Sequence, residues 1–115
     1  EAGCSWVPFM MDRLDYEFDS VFGAKTRKRL TKRPSDIIRN HENFWVSCEM
    51  GEVGLKYALD AIGSDRILYA SDFPHEPTEE DLTSDLPMFL SNKAYSDEVK
   101  RKIAGKNAKI LYGIK

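Results

Sequence analysis

The sequence predicts an α/β fold built around two parallel strands. Ile67-Leu68-Tyr69-Ala70 is a short apolar run, the length of a strand buried on both faces. Phe44-Trp45-Val46-Ser47-Cys48 is rich in β-formers and reads as a second strand. Between them, EVGLKYALDAI (residues 52–62) places Val53, Leu55, Tyr57, Ala58, Leu59 and Ile62 on a helix mostly buried on one side. Strand, helix and strand fit within the 28 residues from 44 to 71. That is the size of a right-handed βαβ crossover, so the strands are expected to be parallel neighbours.

The remaining elements follow in chain order. Gly3 permits a sharp bend or a close backbone approach. Pro8 suits the first turn of a helix. Trp6, Phe9, Met10, Leu14 and Phe18 recur at spacings of three and four, which predicts a helix over 7–22 with Gly23 as its stop. KTRKRLTKR (25–33) carries six basic residues without an interleaved aromatic and reads as a solvated loop or helix end. A phosphate or RNA contact is the sharper alternative. Pro34-Ser35-Asp36 opens a short helix to Asn40, with Ser35 or Asp36 near its cap. His41 precedes the Phe44 strand and reads as a surface residue. Gly63 stops the central helix, and Ser64-Asp65 turns the chain into the Ile67 strand. Residues from 78 onward predict a helix with Leu82, Leu86, Phe89 and Leu90 inward, limited or kinked by Pro87. Ser96 caps a helix over 97–104 closed by Gly105. NAKILY (107–112) forms a last one, with Ala108, Leu111 and Tyr112 inward.

Composition sets the bounds. The 115 residues make a single domain, 1–115, with 42% apolar residues to build one core. A net charge of −2 gives no general case for nucleic acid or an anionic membrane as partner. No apolar run approaches the roughly 18 residues of a membrane span. The first residues lack a signal-peptide pattern, and a chain beginning at Glu1 rather than Met reads as processed or cut. Cys4 and Cys48 are too few for a disulfide scaffold, so reduced thiols in a cytoplasmic protein are the expectation.

Chemistry concentrates in RILYASDFPH (66–75). Pro74 cannot donate a ladder hydrogen bond and holds Phe73 extended, so the strand stops there. Asp72, Phe73 and His75 therefore sit at the C-terminal end of a buried strand, where ligands collect in parallel α/β sheets. Glu49 holds the same relative place on the earlier strand. An Asp capping a turn is the plain alternative.

ILYASDFPH, with GEVGLKYALDAIGSDR before it and VKRKIAGKNAKILYG after it, resembles the C-terminal part of the amidohydrolase-2 family. These are metal-dependent hydrolases and decarboxylases related to aminocarboxymuconate-semialdehyde decarboxylase. EAGCSWVPFMMDRLD is similar to the stretch around the family's sixth barrel strand, and PSDIIRN with FWVSCE to the entry of its seventh. The resemblance implies the strands 6–8 portion of a (β/α)₈ barrel, with the site at the strands' C-terminal ends. It implies Asp72 as a metal ligand and acid–base residue, His75 as a pocket contributor, and Glu1 as a candidate metal ligand, roughly where many members carry a histidine followed by glycines at the sixth strand. The implied cofactor is a divalent metal, zinc or manganese. The family's His-x-His pair lies outside this stretch, and the only histidines here are His41 and His75. The site implied for this chain is therefore incomplete.

A three-strand piece of a barrel leaves two sheet edges and an uncovered interior face. A homo-oligomer is expected, or a compact rearranged domain in which the N-terminal helix closes the open face. Two functions are implied. One is a metal-dependent hydrolase or decarboxylase of small carboxylated molecules. The other is a truncated, non-catalytic binding or assembly module.

Overall fold

The computed structural model describes the chain except residues 1, 21, 22, 27, 28, 41, 50, 76 and 77. Side chains at 25, 26 and 79–82 are likewise outside the description. The elements are α1 (Trp6–Asp19), α2 (Gly23–Thr26), α3 (Pro34–Asn40), β1 (Val46–Cys48), α4 (Leu55–Ile62), β2 (Ile67–Tyr69), α5 (Glu79–Ser91), α6 (Asp97–Arg101) and α7 (Asn107–Tyr112). A wider helical turn, Lys102–Lys106, joins α6 to α7.

The expected βαβ unit is present. β1 and β2 pair in parallel with Val46 opposite Ile67 and Cys48 opposite Tyr69. The ladder extends by one bond at each end, Val46 N–H to the Arg66 carbonyl and Ala70 N–H to the Cys48 carbonyl, each 3.0 Å. Alternation turns Val46, Cys48, Ile67 and Tyr69 to one face. Val46, Cys48 and Ile67 are buried there with Cys4, Val7, Met11, Leu55, Ala58, Phe89 and Ile103. The opposite face, carrying Ser47, Leu68 and Ala70, is only half-buried. Among the described residues the sheet has these two strands, and residues 2–5, ahead of α1, form none.

α1 ends at Asp19 rather than 22. Ser20 is extended (ψ 163°), and its hydroxyl both donates to the Glu17 carbonyl at 2.7 Å and accepts the Gly23 N–H at 3.0 Å. A serine hydroxyl offers the backbone an alternative to the helical ladder. Gly23 consequently opens α2 instead of stopping α1. α3 begins at Pro34, and its cap comes from elsewhere in the chain. Asp15 on α1 accepts the Ser35 N–H at 3.0 Å and the Ser35 hydroxyl at 2.6 Å. Burial pushes the Asp15 carboxyl up, but these bonds and the neighbouring Arg33 outweigh it and hold it below its ordinary value.

Arg33, the last of the basic run, is committed to α1: it reaches Asp15 at 3.2 Å and Asp19 at 2.6 Å. Arg27 and Lys28 of that run, and His41, lie outside the described residues. Arg39 of α3 donates to the Ala61 carbonyl at 3.0 Å, satisfying one of the last carbonyls of α4.

Gly63 (φ 73°) stops α4, and the Ser96 hydroxyl accepts the Val99 N–H at 3.3 Å to cap α6, both as expected. Gly105 does not end the helix there. The chain kinks at it and continues into α7. α7 also presents another face than its apolar residues suggest. Tyr112 is 70% exposed and Leu111 37% exposed, whereas Asn107 is buried. The Asn107 amide donates to the Ser64 carbonyl at 2.6 Å and to the Ile67 carbonyl at 2.8 Å. The α7 polar residue is turned inward because the entry to β2 leaves two backbone acceptors without a ladder partner. On α5 Phe89 is buried but Leu90 is exposed, and Pro87 sits inside the helix.

α1 packs on α2, α3 and α4, in the helical layer. The radius of gyration is 16.4 Å, against about 13 Å for a compact chain of this length. The arrangement is extended (51 × 32 × 27 Å), not the compact closed domain offered as one expectation.

Asn107→Ala is expected to cost about 1–3 kcal/mol, because the buried Ile67 carbonyl and the part-buried Ser64 carbonyl lose their donor. Urea unfolding of the two chains measures it. A difference within experimental error would show that water replaces the amide without penalty.

Candidate functional site

The site is built where β2 ends. After the Ala70 bond the ladder stops, and Asp72 adopts φ +53°. This left-handed conformation is uncommon outside glycine, and aspartate is one of the few residues that visit it. The Phe73–Pro74 peptide is cis. The His75 N–H donates to the Asp72 carbonyl at 2.8 Å and closes the turn. This folds His75 back, so that its Nδ1 stands 3.6 Å from Asp72 Oδ1. That is beyond a good hydrogen bond, and the contact becomes an ion pair when the imidazole is protonated. The Asp72 side chain is 30% exposed and that of His75 is 65% exposed. Phe73 offers an open aromatic face between them.

Two of the three expected site residues are thus brought together. The third, Glu1, lies outside the described residues. Glu49 is half-buried just past β1, where its carbonyl accepts the Glu52 N–H at 3.2 Å.

A second polar cluster at the same end of the sheet was not foreseen. Glu52 reaches back to the residues ahead of α1. Its Oε1 accepts the Cys4 N–H at 2.8 Å, the Ser5 N–H at 2.6 Å and the Ser5 hydroxyl at 2.5 Å. Its Oε2 accepts the Cys4 thiol at 3.3 Å. The carboxylate therefore caps the entry to α1 from 47 residues away. Close approach makes this possible. A Cβ on Gly3, whose φ is +61°, would stand 2.5 Å from Glu52 Oε1. Gly3 was the one available sequence signal. Burial pushes the Glu52 carboxyl up, but its bonds from Ser5 and Cys4 prevail and hold it below its ordinary value. Cys4 moves strongly the other way, raised by its hydrogen bond to Cys48, by burial, and by the Glu52 carboxylate.

Beside this cluster lies a cleft of about 330 Å³ lined by Glu52, Val53, Asp85, Met88, Asn92 and Tyr95. Another, of about 430 Å³, lies along α1 by Phe9, Asp15, Tyr16 and Arg33. Neither includes Asp72. Among the described residues no three His, Cys, Asp or Glu side chains converge as a metal would require. A catalytic zinc takes three protein ligands and a water. Asp72 and His75 supply two donors, so these residues do not complete such a site. A carboxylate and an imidazole exchange a proton once within hydrogen-bond reach, which is closer than the 3.6 Å seen here. No helix among the described residues is long and apolar enough to cross a membrane.

A model of the amidohydrolase-2 family, described as Amidohydrolase, matches residues 22–114. Among solved structures, the chain is similar to 5-carboxyvanillate decarboxylase LigW from Sphingomonas paucimobilis. The TM-score is 0.71 and the identity 26%, over 98% of this chain and 33% of that one. The chain therefore spans about a third of the length of that enzyme.

Glu52→Gln is expected to lower stability by about 1–2 kcal/mol near neutral pH, since hydrogen bonds to a charged acceptor weaken. The pH dependence has a definite sign. The folded carboxyl titrates below its ordinary value of 4.5. Its contribution is complete above that value and is lost as pH falls through the folded pKa. Thermal midpoints of the two chains should converge below pH 4.5. A gap that persists unchanged into acid would show that shape, not charge, is what Glu52 contributes.

Proposed function

As the chain belongs to the amidohydrolase-2 family, we propose that it is the C-terminal portion, about strands 6–8 with their helices, of a metal-dependent hydrolase or decarboxylase barrel. β1 and β2 would be the seventh and eighth strands, with Glu1 beyond the sixth. The substrate class is a small carboxylated molecule. A solved relative that decarboxylates 5-carboxyvanillate supports this reading, as does the open face of Phe73 beside the acid.

The observation that carries the reading is Asp72. A carboxylate at the carboxyl end of a parallel strand, in a conformation few residues adopt, is the kind of local strain that collects at functional sites. In this reading Asp72 is a metal ligand and the acid–base residue. His75, 3.6 Å away, contributes to the pocket and pairs with the carboxylate when its imidazole is protonated. A divalent zinc or manganese, when bound, would polarise the substrate's carbonyl or carboxyl group. The two donors on β2 do not hold such an ion tightly by themselves. The remaining ligands belong to parts of the barrel outside this chain, or to Glu1. Self-association is part of the same proposal. It is supported by the extended shape and by exposed apolar residues such as Phe9, Val53, Tyr57 and Ile110.

The alternative is a non-catalytic binding or assembly module of the same family. The sequence's lack of the family's His-x-His pair favours it for this chain taken alone.

Nuclear magnetic resonance of the His75 imidazole during zinc or manganese titration separates these readings. The functional reading predicts that millimolar metal perturbs His75 and that Asp72→Ala removes most of the response. An identical response in Asp72→Ala would dismiss Asp72 as a ligand and leave the module reading.

A further inference from the structure

α1 has two faces. Val7 and Met11 are buried in the core, and a turn of about 100° per residue carries Phe9, Arg13 and Tyr16 to the opposite side. Phe9 is 68% exposed and Tyr16 65% exposed, two helical turns apart. A charged flank borders these rings on each side. One carries Asp12, Asp15 and Asp19. Arg33, from the basic run, lies over its carboxyl-terminal half, 3.2 Å from Asp15 and 2.6 Å from Asp19. The other carries Arg13 and Glu17, paired at 2.5 Å, with the Arg13 guanidinium 5.3 Å from the centre of the Tyr16 ring. The 430 Å³ cleft is lined by the two rings, the acidic flank and both arginines. Among the described residues, Asp12 has no partner, and neither do Arg29 and Lys32, exposed cations of the same basic run.

We propose that this face of α1, with the basic run beside it, is a docking surface for a second copy of the chain, the two α1 helices packing antiparallel about a twofold axis. It is the interface for the self-association in the functional reading, and it rests on that part of the reading alone.

The order of charges selects this occupant and this orientation. A twofold axis that reverses one helix against another sets each flank against the same flank of the partner, run backwards. The acidic flank then brings Asp12, near its amino-terminal end, opposite the partner's Arg33, with the partner's Lys32 next to it in the chain. The second flank brings Arg13 opposite the partner's Glu17. Each ion pair occurs twice. A parallel pair fails the same comparison, because it sets Glu17 beside the partner's Asp15 and Asp19. Charge complementarity of this kind fixes register, while the exposed rings supply the apolar area. Phe9 of each copy projects toward the cleft of the other. The basic run thereby gains a role, since without Arg33 the two acidic flanks would repel. Because this face lies opposite the core side of α1, the pair leaves the half-buried sheet face of Ser47, Leu68 and Ala70 open to further barrel strands.

Sedimentation equilibrium of the chain, from micromolar to millimolar and at low and high salt, tests the interface. The expected result is a monomer–dimer equilibrium that weakens as salt rises. Phe9→Lys and Arg13→Glu should each weaken association by roughly tenfold. Both side chains are exposed, so the circular dichroism spectrum should not change. Adding Glu17→Arg to Arg13→Glu should restore most of the lost association, because the two charges remain opposite across the interface. A chain that stays monomeric throughout overturns the proposal. So does a dimer indifferent to Phe9→Lys and Arg13→Glu, or a double variant that associates no better than Arg13→Glu alone. An open series of larger species overturns it too, since a twofold pair closes at two. None of these outcomes involves metal, so the Asp72 titration decides the functional reading separately.

Discussion

A three-residue parallel ladder, Val46–Cys48 against Ile67–Tyr69, fixes where every candidate functional group lies. It is too short to stand alone, since even longer isolated strand pairs are marginal in water. Burial on one face holds it. Val46, Cys48 and Ile67 pack among Leu55 and Ala58 of the crossover helix and Ile103 near the C-terminus. Polar contacts then pin its two ends. Asn107 takes the carbonyls at the entry to β2, and Glu52 gathers the residues ahead of α1 at the exit from β1. Because parallel strands share a direction, one register puts Glu49, Glu52 and Asp72 at the same end.

The two sides of this sheet have unequal fates. One is covered by helices and contains the core. The other, carrying Ser47, Leu68 and Ala70, is left half-buried in a molecule more extended than its length requires. That asymmetry is what a section of a closed barrel would show when considered without its neighbours. It also accounts for the two-donor character of the candidate site. In barrels, catalytic groups come from the ends of several strands, and the proposed reading gives this chain only those at the ends of β1 and β2.

Legibility in the sequence followed the range of the interactions. Elements set by local pattern were readable: both strands, the Gly63 stop, the Ser96 cap, and the crossover helix from Leu55 on, though Val53 precedes that helix and both Val53 and Tyr57 are exposed. So was the gathering of Asp72 and His75, because Pro74 ends the strand within a few residues of both. Features set across the chain were not. Asp15 caps a helix 20 residues away, and Glu52 caps one 47 residues away. Neither acid differs in pattern from its exposed neighbours. α7 was misjudged for a related reason. Its apolar residues suggested the inward face, yet two unpaired carbonyls at the start of β2 favoured Asn107 there. Ser20 ended α1 early by offering its hydroxyl to the Glu17 carbonyl, a choice that the apolar periodicity through residue 22 concealed.

The central claim is that this chain carries the Asp72 part of a metal site and leaves its remainder to other parts of a barrel. Elemental analysis of the purified, dialysed chain tests it most directly, with mass in solution recorded on the same sample. The account predicts zinc and manganese far below one ion per chain in the monomer fraction. Any metal that survives dialysis should be confined to an oligomer that brings further ligands to Asp72. One tightly held ion per monomer would contradict it, and would mean that a single chain completes the donor set.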